Sequence, residues 1–206
     1  ALFADSIDMG MRFHEAFIGK VGGNQKNENP LMKQLLYSDF VSQERFKRKK
    51  GIGIESLFLY VDTKCENNCI FCRNKKTEDG DVHEIEEKLM ENRRLGRRKL
   101  SLVGNDVMLH GRFTEILELC RDNGFDAVEV MTSGNRLADR EFVKKLSSIG
   151  INITFSLPLL GCDSETHDKI TQNLGSFEKI IKGLENIKYY DNLDAIIHTN
   201  LINQNI

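Results

Sequence analysis

From Leu57 onward, short apolar runs alternate with helical stripes, and that alternation confines the chain to a parallel α/β fold. The runs predict strands over residues 57–61, 100–103, 127–131, 151–157 and 195–199. Between them lie amphipathic segments. Residues 82–95 place Ile85 and Leu89 on one face of a charged helix. Phe113, Ile116, Leu117 and Cys120 form a second stripe, with Gly124 as its stop. Asp139 is placed to cap a helix carrying Phe142, Val143 and Leu146 that ends near Gly150. Ser176 is placed to cap one carrying Phe177, Ile180, Ile181, Leu184 and Ile187. Continuous apolar strands imply burial on both faces, and alternation with helices implies right-handed crossovers. Two architectures satisfy this pattern: an open doubly wound sheet, or a full or partial barrel. In both, ligands gather at the C-terminal ends of the strands, so chemically suggestive residues should follow strands rather than precede them.

Residues 1–52 read differently and are assigned to a helical N-terminal extension with a basic linker, leaving 53–206 as the core. Apolar clusters at Phe13, Ala16 and Phe17, then at Leu31, Leu35 and Leu36, predict two short helices around a Gly- and Asn-rich loop. The basic run Arg45–Lys50 reads as a solvated linker. Net charge is −2 over 206 residues, which calls for neither nucleic acid nor an anionic membrane as partner. No apolar run approaches the length of a membrane span.

The chemistry concentrates in cysteine. The chain has five, an odd number that argues against a secreted disulfide scaffold. Three of them form the run Cys65-Glu-Asn-Asn-Cys69-Ile-Phe-Cys72, just after the first strand. Such clustering indicates a metal site in a reducing, cytoplasmic compartment. Three thiolates can hold three irons of a cubic cluster, and full protein ligation takes four, so one iron would stay open to an outside ligand. Zinc is the competing reading, with His83, His110 or Cys120 as the missing donor, but no second ligand pair is present. A metal-free loop would expose oxidisable thiols. Cys120 lies on a helical stripe and reads as core, and Cys162 as a free loop cysteine.

The spacing Cys65-x3-Cys69-x2-Cys72, with Phe71 before the last cysteine, resembles the signature of the radical SAM superfamily. The resemblance implies a partial parallel (β/α) barrel carrying a [4Fe–4S] cluster on Cys65, Cys69 and Cys72. It implies that S-adenosylmethionine chelates the open iron and is cleaved reductively to a 5′-deoxyadenosyl radical, which abstracts hydrogen from a substrate. It also implies an external electron donor of the flavodoxin or ferredoxin type.

The other strand ends carry the resemblance from Gly53 to the end of the chain. Gly104-Asn105-Asp106-Val107 is similar to the family's GGEP segment, with Asn105, Asp106 and Val107 departing from it. Asp106 keeps the carboxylate, one methylene shorter, that would accept hydrogen bonds from the amino group of the cofactor. Thr132-Ser133-Gly134 is similar to a Thr-Asn-Gly turn. Ser156 ends the fourth strand and is placed for a ribose or carboxylate contact. Pro158 replaces an aspartate found in many members. Phe71, Gly104, Asn105, Asp106, Ser133 and Ser156 are thus the expected cofactor contacts, and no catalytic residue is assigned. The Leu157-Pro158-Leu159 run is similar to peptide- and protein-modifying members. His167-Asp168 is read as a helix-entry hydrogen bond and His198 as a structural histidine.

A family barrel has a sixth strand, so the expectation is a core truncated after about five strands, part of a longer enzyme or completed by a partner chain. Two other readings stand beside the enzyme: a cluster-bearing binding or electron-transfer module without turnover, and a zinc-stabilised structural domain.

Overall fold

A computed structural model describes residues 57–61, 63–72 and 78–206. The expected N-terminal extension, residues 1–52, lies outside the described residues.

Five strands form one parallel sheet: β1 (Leu57–Tyr60), β2 (Lys99–Val103), β3 (Ala127–Met131), β4 (Asn152–Pro158) and β5 (Leu193–His198). Five α-helices connect them: α1 (Val82–Arg94), α2 (Phe113–Asp122), α3 (Arg140–Ser147), α4 (Ser164–Thr171) and α5 (Ser176–Ile187). Single 3-10 turns follow β2 at Val107–Leu109 and β3 at Asn135–Ala138.

The strand order is β1-β2-β3-β4-β5, the same as the chain order. This decides between the two architectures. A doubly wound sheet reverses direction so that helices fall on both faces. Here every crossover steps the same way, and right-handed connections then put all the helices on one face. The result is the arc of a barrel.

Burial follows that arc and corrects one expectation. Leu59, Leu100, Leu102, Val128, Val130, Ile153, Phe155 and Leu157 are buried and join Ile85, Leu89, Ile116, Leu117, Val143, Leu146, Ile180 and Leu184 in one core. The opposite face is not packed in the same way. Phe58 and Tyr60 are 62% and 71% exposed, and Met131 is also exposed. The strands are therefore not buried on both faces among the described residues. Their second face lines the concave side of the arc, where Ser101 donates to Glu129 at 2.9 Å.

Helix entry is set by aspartates. Asp81, Asp139 and Asp163 accept backbone N–H groups at the starts of α1, α3 and α4. Ser176 does not cap α5 as the sequence predicts. Gly175 occupies the cap position with φ +81°, and the Asp168 carboxylate from α4 supplies the acceptor. It takes the Gly175 N–H at 2.6 Å, the Phe177 N–H at 2.9 Å and the Ser176 hydroxyl at 2.9 Å. His167 Nδ1 accepts the Leu160 N–H at 3.1 Å, so the His-Asp pair works at helix entry rather than as an acid–base couple. Gly183 lets α5 close onto the turn after β3, since a β-carbon there would stand 2.6 Å from that of Leu137.

Candidate cofactor site

The loop after β1 is held from three directions. Val61 N–H continues the β1–β2 ladder to Val103 O at 2.8 Å. Thr63 is buried; its hydroxyl donates to Asp79 Oδ1 at 2.8 Å, and its carbonyl accepts from Asn105 Nδ2 at 2.7 Å. Further along, Asn68 N–H donates to Thr171 O at 2.9 Å and Ile70 N–H to Ile170 O at 3.0 Å. The cysteine loop is thus pinned to the end of α4, which the sequence did not reveal as a helix.

Cys65 and Cys69 are half-buried and Cys72 is exposed, with Phe71 beside it at the surface. Cys72 N–H turns back onto Cys69 O at 2.9 Å, which tightens the loop. Burial pushes the Cys65 thiol up to about 11, the Asp106 carboxylate adds to that, and Cys69 and Cys72 add more against an opposing hydrogen bond from the Asn67 N–H. Burial and the neighbouring Cys72 also raise Cys69. Cys65 and Cys69 therefore sit where thiolate charge is disfavoured, and a cationic group beside them would relieve that cost. Among the described residues, no three His, Cys, Asp or Glu side chains surround a single point closely enough to hold one metal ion.

Of the candidate fourth zinc donors, His110 and Cys120 are otherwise engaged. His110 is buried; its Nδ1 accepts the Arg112 N–H at 3.1 Å, which leaves Nε2 to donate to Gly80 O at 2.9 Å. Cys120 lies in the core, where burial raises its thiol to about 12. His83 is exposed on α1.

At the end of β2, Gly104 passes so close to β1 that a β-carbon on it would stand 2.3 Å from the Val61 carbonyl oxygen. Asp106 follows, 1% exposed. Thr132 Oγ1 donates to its Oδ1 at 2.5 Å, and Ser133 Oγ donates to its Oδ2. Burial raises the Asp106 carboxyl above its ordinary value, more than these hydroxyls lower it, and Glu66 adds a small repulsion. The Ser133 backbone N–H lowers it as well, so of a carboxylate's about four acceptor positions one is left for a further N–H donor.

The β3 and β4 ends join this rim. Thr132 N–H donates to Ser156 O at 3.3 Å, and Ser156 pairs with Met131 in the β3–β4 register. Ser156 is itself buried. At the next strand, Pro158 pairs with His198, which is half-buried. The structure thus brings Cys65, Asp106, Thr132 and Ser133 to one rim, with Gly104, Asn105 and Ser156 on the strands beside them. It leaves Cys120 in the core.

The sequence did not indicate Asn67, Asn135 and Asn173. Asn67 Oδ1 accepts from Asn135 Nδ2 at 3.1 Å and from Asn173 Nδ2 at 2.8 Å. These partners lie far apart along the chain, and no local pattern marks such a pairing. Asp79, which accepts from Thr63 and Gly111, was missed for the same reason.

Comparison with known proteins places the sequence and the fold. The family model described as the Radical SAM superfamily matches residues 59–202. A probable GTP 3′,8-cyclase of Methanocella arvoryzae is 29% identical over 143 residues, covering 66% of this chain and 44% of its own length. The chain therefore spans less than half the length of that relative. Among solved structures, native anSMEcpe with bound AdoMet and a Cp18Cys peptide superposes with a TM-score of 0.57 at 19% identity, covering 69% of this chain and 42% of that one. SuiB of Streptococcus suis bound to the precursor peptide SuiA gives a TM-score of 0.52 at 16% identity, covering 90% and 43%. At these identities the two structures show a shared fold.

Proposed function

The chain belongs to the radical SAM superfamily, an enzyme family whose cofactors are a [4Fe–4S] cluster and S-adenosylmethionine, and we propose that Cys65, Cys69 and Cys72 hold the cluster that works here on a peptide or protein substrate. When bound, these cofactors supply reductive cleavage of S-adenosylmethionine to a 5′-deoxyadenosyl radical that takes a hydrogen atom from the substrate. The observation that carries the reading is the meeting of the cysteine loop with the β2 and β3 ends, where Asn105 donates to Thr63 O and Asn135 to Asn67.

In this reading the residues divide the work. The cysteine thiolates ligate iron and leave one metal position open. Phe71 shields the loop beside Cys72. Gly104 lets the backbone at the β2 end approach closely, and Asn105 ties that end to the Thr63 carbonyl. Asp106, oriented by Thr132 and Ser133, accepts from the cofactor's amino group. Ser133 and Ser156 offer polar contacts on the neighbouring strands. The open concave face, with Phe58, Tyr60 and Met131 exposed, is where the substrate sits. A flavodoxin- or ferredoxin-type protein delivers the electron, in a reducing cytoplasm. Among the described residues, no helix is long and apolar enough to cross a membrane.

The peptide assignment draws on the Leu157-Pro158-Leu159 run and on the two peptide-bound relatives of the same fold. The curated relative is named as acting on GTP, so a nucleotide is the alternative substrate. The test is anaerobic: reconstitute with iron and sulfide, reduce, add S-adenosylmethionine, and measure 5′-deoxyadenosine with and without peptide or GTP. Peptide-stimulated release supports the reading. Release stimulated only by GTP moves the substrate to the nucleotide class. A stable cluster that releases no 5′-deoxyadenosine under any condition supports a module without turnover.

A further inference from the structure

We propose that Asn67 is a positioning residue for the cysteine loop, acting as a double hydrogen-bond acceptor that fixes the backbone between Cys65 and Cys69. The inference rests on the reading that Cys65, Cys69 and Cys72 ligate a cluster.

Asn67 lies within the loop and is buried. Its side-chain oxygen is the meeting point of two distant elements. Asn135, at the turn after β3, donates to it at 3.1 Å, and Asn173, between α4 and α5, donates at 2.8 Å. The orientation of the Asn135 amide reflects this use. Its Oδ1 is buried with no hydrogen-bond partner among the described residues. Flipping the amide would set that oxygen against the Asn67 oxygen and lose the bond. A buried unpaired acceptor is costly, and the turn tolerates it while its amide nitrogen holds Asn67.

The consequence reaches the ligating residues through the backbone. Asn67 lies two residues after Cys65 and two before Cys69. The next residue, Asn68, is fixed to Thr171 O, and Ile70 to Ile170 O. Main-chain bonds therefore anchor the loop after Asn67, and the side-chain oxygen of Asn67 anchors it beside Cys65. Asn67 thereby couples the turn after β3 and the α4–α5 loop to the backbone that carries the thiols, and outer partners of this kind orient metal ligands.

The role needs an acceptor and nothing else, which makes it separable from general packing. Asn67→Ala leaves Asn135 and Asn173 without their acceptor. Asn173→Ala removes one donor from outside the loop and carries the test if Asn67→Ala fails to fold. Each chain is reconstituted anaerobically with iron and sulfide. The readouts are iron release to a chelator and the electron paramagnetic resonance spectrum of the reduced cluster.

The expected result is iron loss roughly 10- to 100-fold faster in Asn67→Ala and an altered spectrum in both alanine variants. Alanine variants that match the wild type in both readouts would overturn the inference. So would an Asn173→Ala chain that matches the wild type beside an impaired Asn67→Ala, because donation to the Asn67 oxygen would then not be the cause. A wild-type chain that takes up no cluster would overturn the underlying reading and this inference with it. A sound wild-type cluster with indifferent variants overturns this inference alone.

Discussion

Gly104 and Val61 stand so close that no side chain fits between them: a β-carbon on Gly104 would lie 2.3 Å from the Val61 carbonyl oxygen. The atom in the way is backbone, and the neighbouring Val61 N–H is already committed to Val103 O. Gly104→Ala must therefore part the ends of β1 and β2. The expected cost is about 1–3 kcal/mol of stability, the usual range for overpacking, together with reduced cluster uptake. Urea denaturation of the metal-free chain and iron content after reconstitution check the two parts separately.

Asp106 is buried and depends on two hydroxyls from the turn after β3. Removing either donor leaves the carboxyl less well paired in a desolvated place. Ser133→Ala and Thr132→Val are each expected to destabilise by about 1–3 kcal/mol. Their effects should shrink when Asp106 is also replaced by Ala, because the group they serve is then gone. A double-mutant cycle in urea measures that coupling. Simple additivity would show that the hydroxyls do not act through Asp106.

Asp168 links α4 to α5, and its charge sets a pH dependence. Burial works to raise its carboxyl, but the Phe177 and Gly175 N–H groups and the Ser176 hydroxyl outweigh it and hold the group below the usual carboxylate value. A carboxyl depressed in the folded state stabilises fully above the unfolded value, near pH ~4. That stability is lost as pH falls through the lower folded value. Asp168→Ala is expected to cost about 1–2 kcal/mol at neutral pH, as for a lost helix cap. The difference between wild type and variant should narrow below pH ~4. Thermal unfolding at several pH values reads this directly, and a constant difference across the range would contradict it.

The strands and four of the five helices could be read from the sequence because their signal is local. Apolar runs such as Ala127–Met131 and stripes such as Phe113, Ile116, Leu117 and Cys120 state their burial in their own spacing. The cysteine loop was equally plain, since three thiols in so short a run have few other uses. What escaped was set by the fold. The α4 helix buries His167, Asp168 and Thr171, polar residues that make no apolar stripe. The Asp168 cap of α5 displaced the expected Ser176 because its acceptor comes from the preceding helix. The concave face looked apolar on both sides only until the strand order put every helix on the other side. The Asn67 junction joins three separate parts of the chain, and no single window of sequence contains it.

Whether Cys65, Cys69 and Cys72 together carry the cluster is measured most directly by replacing each with alanine and assaying the reconstituted chains for iron, sulfide, visible absorption and 5′-deoxyadenosine. Wild type and the core variant Cys120→Ala should both hold a cluster and release 5′-deoxyadenosine from S-adenosylmethionine. Cys65→Ala, Cys69→Ala and Cys72→Ala should each lose the nucleoside product and most of the iron. An intact cluster in any of those three, or stoichiometric zinc without visible absorption in the wild type, would contradict the account.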